Sequence, residues 1–145
     1  FSSILFVFII STAYWTYKNH PYQHVYFNYF GGKKFNENFD MDYWGLNNYS
    51  ALNHLIKNNK NVVIVALIGN GDIGQSRMFL NKSDRNNIII TDNFMKADFL
   101  IDNFNRWDGI SKIKKKSLIE KNFHIYYEIT IDNVAVTRIY RKNIK

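Results

Sequence analysis

The chain has 145 residues, which is enough for one domain with a hydrophobic core. Its formal net charge of +7 points to phosphate, nucleic acid or anionic lipid as a neighbour, although a compositional bias toward Asn, Lys, Ile, Tyr and Phe would also produce it. There are no cysteines, which excludes a disulfide framework, a thiolate metal site and a cysteine nucleophile.

The first segment, FSSILFVFIISTAYWTY (residues 1–17), carries no charge. Tyr14, Trp15 and Tyr17 cluster at its end and Lys18 follows, which is typical of a helix leaving the hydrocarbon region of a bilayer. A basic start and a small-residue cleavage site are both missing, which argues against a secretory signal peptide. We therefore expect residues 1–17 to be the end of a transmembrane helix. A buried core helix is the alternative, but such a helix normally has a polar face.

Residues 18–145 are predicted to form an extracytoplasmic α/β domain, with a small mixed sheet, flanking helices and a C-terminal β-hairpin. The stretch HPYQHVYFN (residues 20–28) predicts an extended segment or edge strand, because it is aromatic and β-branched and Pro21 disfavours helix. Residues 31–45 are predicted to be a loop. No internal repeat is present.

One helix and three strands are predicted next. The helix begins at Asn47 or Asn48, either of which can cap it, and runs to about Lys57. The continuous apolar run VVIVALI is typical of a strand buried on both faces of a parallel sheet. The predicted strands are residues 62–68, 88–91 and 97–103, with a short helix through residues 78–80.

The end of the chain gives a strong hairpin signal. HIYYEITI and VAVTRIYR flank Asp132 and Asn133, two residues that tolerate positive φ. Before the hairpin, residues 105–116 are polar and end in the basic run KIKKK. These lysines either contact lipid head groups or a carrier phosphate, or form a solvated loop. Nucleic acid is not expected as a partner, because the aromatic residues do not interleave with the basic ones.

Three glycines follow the predicted strand 62–68 in the G-x-G-x-x-G spacing: Gly69, Gly71 and Gly74. Asp92 ends the next strand about 20 residues later, where an acidic residue would meet a ribose hydroxyl of a dinucleotide. Against this, the helix QSRMFL is short for a crossover and lacks small residues for close packing. Two interpretations stay open: a membrane-tethered nucleotide-binding domain, or a turn in an ordinary α/β layer.

Candidate substrate-binding residues lie upstream, at Asp40, Asp42, Tyr43 and Trp44. Two carboxylates spaced by two residues on an extended segment face the same side. Beside aromatic rings, they are typical of sugar sites, because carboxylates bind hydroxyl groups or a divalent ion. The alternative is that Tyr43 and Trp44 anchor the loop while one Asp caps a turn. The four histidines are scattered, so no metal site is predicted.

Two stretches carry a resemblance to a known family: HPYQHVYFNYFGGKKF (residues 20–35) and NFDMDYWGLNNYSALNHL (residues 38–55). They resemble the C-terminal extracytoplasmic portion of bacterial multispanning glycosyltransferases of the GT-C type. These enzymes are related to the protein mannosyltransferase and aminoarabinose transferase families (glycosyltransferase family 39-like). ADFLIDNF (residues 97–104) and VTRIYR (residues 136–141) are similar to the same tail. The resemblance thus covers most of the chain.

The resemblance implies an enzyme of the bacterial inner membrane that transfers a sugar from a polyprenyl-phosphate carrier to an acceptor on the extracytoplasmic side. In this family the catalytic carboxylate lies in an early extracytoplasmic loop, which this sequence does not contain. We therefore assign no catalytic residue and no cofactor to this stretch, and a divalent cation would belong to the full enzyme. The implied partners are membrane lipid, the transmembrane part of the same chain and the polyprenyl-phosphate sugar. A non-enzymatic membrane-anchored interaction module is a further alternative.

Overall fold

The computed structural model describes residues 2–25, 41–42, 45–69, 71–104 and 112–144. The elements in these ranges are the helices α1 (Ser2–Lys18), α2 (Leu46–Asn58), α3 (Ile73–Met78), α4 (Lys82–Arg85) and α5 (Lys112–Asn122), the strands β1 (Val63–Leu67), β2 (Ile88–Ile90), β3 (Phe99–Asp102), β4 (Phe123–Ile131) and β5 (Val134–Lys142), and the 3₁₀ turns Gln23–Val25 and Phe94–Lys96.

The five strands form one mixed sheet in the order β2-β1-β3-β5-β4. β1 pairs in parallel with both β2 and β3, so the apolar run of β1 lies in the parallel part of the sheet, as predicted. β5 runs antiparallel to β3, and β4 antiparallel to β5. The predicted α/β class, mixed sheet and C-terminal hairpin are confirmed.

Successive strand residues point to opposite sides of the sheet, and a helix packs on each side. On one face, Leu52 and Leu55 of α2 pack in a cluster with Ile101 of β3. On the other face, Leu118 of α5 packs against the cluster that contains Leu100. Leu52, Leu55, Leu100 and Ile101 are fully buried, so the hydrophobic core lies between the sheet and these two helices.

The hairpin turn forms at the predicted residues. Asp132 and Asn133 have φ values of 48° and 65°, the left-handed backbone that a two-residue turn with this twist requires. β4 and β5 then run beside each other from Ile131 and Val134, the first pair after the turn. Arg138 and Glu128 form a cross-strand ion pair within the hairpin.

Some local predictions were wrong in the described ranges. The short helix expected through residues 78–80 is α3, which begins at Ile73 and ends at Met78. Gln23–Val25 forms a 3₁₀ turn and not a strand, because local backbone hydrogen bonds, such as Val25 N–H to the Tyr22 carbonyl, fold the chain back after α1. The basic run expected within a polar loop lies in α5, because Leu118 and Ile119 give the helix an apolar contact with the sheet. Residues 26–28 of the predicted strand, and most of the predicted loop 31–45, lie outside the described residues.

Candidate functional site

Helix α1 has an apolar surface that the domain does not bury. The side chains of residues 4–10 are all more than half exposed, from 76% for Ile4 to 51% for Ile10. Tyr14 and Tyr17 near its end are exposed as well. A helix that is apolar all round is normally found inside a core or in a membrane. No helix among the described residues combines the length and the apolarity needed to cross a bilayer.

The C-terminal part of α1 is fixed to the domain through Trp15. The ring is half-buried and packs against an apolar cluster that includes Met41, Val134 and Val136. Its indole N–H donates to the carboxylate of Asp132 in the hairpin turn. These contacts place the end of α1 directly beside the β4–β5 turn.

The second candidate region is a group of buried polar residues at the carboxyl ends of β1 and β3. In open α/β sheets, ligands bind at the topological switch point, where the connections from two neighbouring strands leave in opposite directions. The strand order β2-β1-β3 places this switch point between β1 and β3. The polar cluster at this edge consists of Asp42, Asn47, Asn48, Ser76, Asp102, Asn103 and Thr137, each less than 9% exposed.

Asp42 is the one predicted substrate-binding residue that the structure describes, and it caps α2. It is fully buried, and its carboxylate accepts hydrogen bonds from the backbone N–H groups of Leu46 (2.9 Å) and Asn47 (2.8 Å). The residue before the helix, Gly45, has no side chain and therefore provides no side-chain cap itself. This geometry agrees with the alternative that an Asp caps a turn. Asp40, Tyr43 and Trp44 lie outside the described residues, so their predicted role in substrate binding stays a prediction.

The predicted position of the α2 cap was wrong. The helix begins at Leu46, and Asn47 and Asn48 lie inside its first turn with their side chains buried. Asn47 donates to the Val136 carbonyl of β5 (3.2 Å), and Asn48 accepts from Asn103 of the β3 end (3.4 Å). The two asparagines therefore join α2 to the sheet.

One of the motif glycines, Gly69, leaves space for a buried amide. A Cβ at Gly69 would lie 1.6 Å from Asn103 Oδ1, so only glycine fits while Asn103 keeps its place. Gly71 has a φ of 105°, a backbone conformation that favours glycine. The room that a dinucleotide fold gives to a pyrophosphate is thus taken up in part by side chains of the protein.

The start of α3 is also unsuited to an anion. Asp72 caps the helix, and its carboxylate accepts from the N–H groups of Gly74 (2.7 Å) and Gln75 (3.1 Å). A phosphate at this position would meet a negative charge and two donors that are already paired. The geometry therefore favours the interpretation of Gly69–Gly74 as a structural turn.

The polar cluster holds two hydrogen-bonding atoms without a partner among the described residues: Asn47 Oδ1 and Asn48 Nδ2. One is an acceptor and the other a donor, and both belong to neutral groups. Asp102 Oδ1 accepts from the backbone N–H of Phe104 (3.0 Å). The cluster therefore offers neutral hydrogen bonding and no exposed carboxylate. Asn103 and the two α2 asparagines were not predicted as site residues; the Asp-Asn pair at the end of strand β3 was the available signal.

The described histidines lie on separate elements. The ring of His54 on α2 stacks on Tyr127 of β4, with 3.6 Å between centroids and 10° between planes. Burial lowers the pKa of His54 below its ordinary value. His20 contacts Gln23, and His124 contacts Asn143. Within the described ranges, no three His, Asp or Glu side chains are grouped so that they could hold a metal ion.

Comparisons of this chain with protein-family models, with curated proteins and with solved structures find no match. The two candidate regions, α1 and the polar cluster, differ in their chemistry. α1 offers exposed apolar area, whereas the polar cluster is closed and largely paired within itself.

Proposed function

We propose that this chain is the C-terminal part of a multispanning membrane glycosyltransferase that uses a polyprenyl-phosphate-linked sugar. Residues 1–17 are the end of a transmembrane helix, and residues 18–145 are an accessory domain on the extracytoplasmic side of the bacterial inner membrane. The domain contacts the acceptor or carrier, or caps the enzyme, and does not itself catalyse transfer. The exposed apolar surface of α1 is the observation that carries the membrane part of this proposal.

Hydrocarbon is the environment that suits α1. Fully burying a Val, Leu, Ile or Phe side chain stabilises a protein by about 1.5–3 kcal/mol, and residues 4–10 are all of these types. At about 1.5 Å per residue, the 17 residues of α1 measure about 25 Å, somewhat less than the hydrocarbon core of about 30 Å. The aromatic residues before Lys18 fit the interface at the end of a span. These features support α1 as the last part of a longer transmembrane helix.

The carboxylates of the polar cluster support an accessory role. A general base in glycosyl transfer has to reach the proton that it accepts. Asp42 is fully buried with its oxygens on the α2 backbone, and Asp102 is 3% exposed. Neither is arranged to take a proton from an incoming acceptor.

The proposed family itself rests on the resemblance of residues 20–35 and 38–55.

Two alternatives give different expectations. A membrane-anchored interaction module would share α1 but would lack a transferase, whereas a nucleotide-binding domain would bind at Gly69–Gly74. Saturating NAD or ATP should leave the thermal midpoint of the chain unchanged, because Asp72 occupies the start of α3. A rise in the midpoint would favour the nucleotide-binding domain.

Vesicle flotation tests the membrane part of the proposal. We expect the full chain to float with phosphatidylcholine–phosphatidylglycerol vesicles and Ile9→Arg to bind about 100-fold less, because Arg near a helix centre costs about 2.5–3.5 kcal/mol on the insertion scale. Asn86→Arg, at an exposed site of the domain, is the matched control and should float like the parent. Equal flotation of Ile9→Arg and the parent would contradict insertion of α1.

The upstream coding sequence tests the transferase part. Several apolar spans before Phe1, with an acidic residue in the first extracytoplasmic loop, would support the glycosyltransferase. A start codon directly before Phe1 would contradict it and would favour the interaction module.

A further inference from the structure

The direction of the strands relative to α1 gives the domain an orientation. β3 runs antiparallel to β5, with Phe99 beside Arg141 and Asp102 beside Arg138. The carboxyl end of β3 is therefore the end nearer to the β4–β5 turn. β1 is parallel to β3, with Leu67 beside Ile101, so β1 ends at the same edge.

The same edge of the sheet lies close to α1. Trp15 donates to Asp132 in the turn, so the end of α1 and the turn are one hydrogen bond apart. Arg138 follows Val134 by four residues of strand, or about 13 Å at roughly 3.3 Å per residue. Asp102 and the polar cluster therefore lie on the side of the sheet that approaches α1, whereas the amino ends of β1 and β3 lie on the far side.

The depth of Trp15 then fixes the depth of the turn. If α1 enters hydrocarbon, Tyr14, Trp15 and Tyr17 lie at the head-group level, as aromatic residues at the end of a span do. Asp132 is a hydrogen bond away and therefore lies at that level too. β5 carries Arg138, Arg141 and Lys142 on its way from the turn, and these charges keep the hairpin out of hydrocarbon.

We propose that the domain stands on the bilayer with the β4–β5 turn and the carboxyl ends of β1 and β3 directed toward the lipid head groups. This orientation rests on the proposed function, since it requires α1 to be inserted. Its occupant is the head-group layer of the membrane. A lipid-linked substrate would then approach the domain from the edge that holds the polar cluster, and the edge formed by the amino ends of the strands would face away from the membrane.

Depth-dependent quenching of single labels tests the orientation, and the absence of native cysteines makes single-cysteine labelling of the full chain straightforward. Thr130→Cys and His124→Cys form a matched pair, because both residues are exposed on β4, near the turn and at the far end. Each variant would carry a bimane label in phosphatidylcholine–phosphatidylglycerol vesicles that contain a head-group nitroxide lipid. Asn61→Cys, exposed before β1, is a second probe of the far edge, and Ile9→Cys with an acyl-chain nitroxide reports insertion of α1.

We expect the Thr130 label to be quenched at least about threefold more than the His124 label, since six strand residues separate them by about 20 Å. The Asn61 label should be quenched as little as the His124 label. Equal or reversed quenching of the β4 pair, with Ile9 quenched by the acyl-chain nitroxide, would overturn the orientation and leave the inserted helix intact. An unquenched label at Ile9 would overturn insertion and the orientation with it.

Discussion

Helices α1 and α2 are of similar length but keep their apolar residues in different surroundings. α1 has 17 residues and exposes its apolar side chains along its length, including Leu5 and Phe8. α2 has 13 residues and buries Ala51, Leu52 and Leu55 against the sheet. The sequence of α2 separates apolar from polar residues around the helix, and that of α1 does not.

The difference shows which helix the domain itself stabilises. Helices in proteins gain most of their stability from packing of one face and little from intrinsic propensity. α2 has that packing within the chain, and its first turn is capped by Asp42. α1 contacts the domain near its end, at Trp15. The stability of the domain should therefore depend on α2, and the apolar part of α1 should respond to the membrane.

Truncating one buried leucine of α2 and one exposed isoleucine of α1 gives the largest expected contrast. Leu52→Ala should lower the free energy of unfolding by about 2–5 kcal/mol, because Leu52 is fully buried and truncation leaves a cavity. Ile9→Ala should change it by less than about 0.5 kcal/mol, because Ile9 is 57% exposed. Urea unfolding of both variants in detergent, followed by circular dichroism, measures the two effects.

The comparison would be broken if Ile9→Ala destabilised the domain as much as Leu52→Ala. That result would mean that α1 packs on the domain as a core helix, the alternative that the sequence left open. Tyr49→Ala, which truncates an exposed side chain of α2, controls for the effect of an alanine substitution outside the core.

A methyl group at Gly69 should give the next largest effect and tests how α2 is joined to the sheet. Its Cβ would lie 1.6 Å from Asn103 Oδ1, so Gly69→Ala must displace the side chain that donates to Asn48. We expect a loss of about 1–3 kcal/mol in the free energy of unfolding, as for overpacking of a core.

The double variant Gly69→Ala/Asn103→Ala separates crowding from a general effect of alanine. Removing the Asn103 amide restores the space, so the double variant should be less destabilised than the sum of the two single variants. Additive losses in urea unfolding would show that Asn103 is not what requires a glycine at position 69.

The sequence predicted the sheet and the hairpin because these signals are local. A few consecutive residues are enough to predict the conformation of β1, from its apolar run, and of the Asp132–Asn133 turn. The prediction of a loop for the basic run of α5 failed because the signal for this helix is not local. The helix depends on Leu118 and Ile119, which pack against distant strands. Lysine-rich sequence by itself does not report that contact.

The polar cluster could not be predicted, because its members come from separate parts of the chain. Asn48 and Asn103 are 55 positions apart and meet only when β3 and α2 reach the same edge of the sheet. The glycine spacing was visible in the sequence, but the space at Gly69 is filled by Asn103, which no local pattern indicates. The sequence offered a capping Asp as an alternative to a sugar site, and the fold showed that Asp42 caps α2.

The smallest expected effect concerns the contact of α2 with β4, where His54 stacks on Tyr127 and also lies near Tyr126 and Asn58. Burial lowers the pKa of His54 in the folded chain, so the unfolded chain binds the proton more readily. The free energy of unfolding should therefore fall as the pH drops below about 6.5, the pKa of an unfolded histidine. Above that pH, His54 should add no pH dependence to the stability. His54→Phe keeps an aromatic ring for the stack and removes the titration, so it should lose less stability between about pH 7.5 and about pH 5 than the parent. His124→Phe, at an exposed site on β4, is the control. If urea midpoints of the parent and His54→Phe shift equally with pH, the contact between α2 and β4 does not depend on the charge of His54.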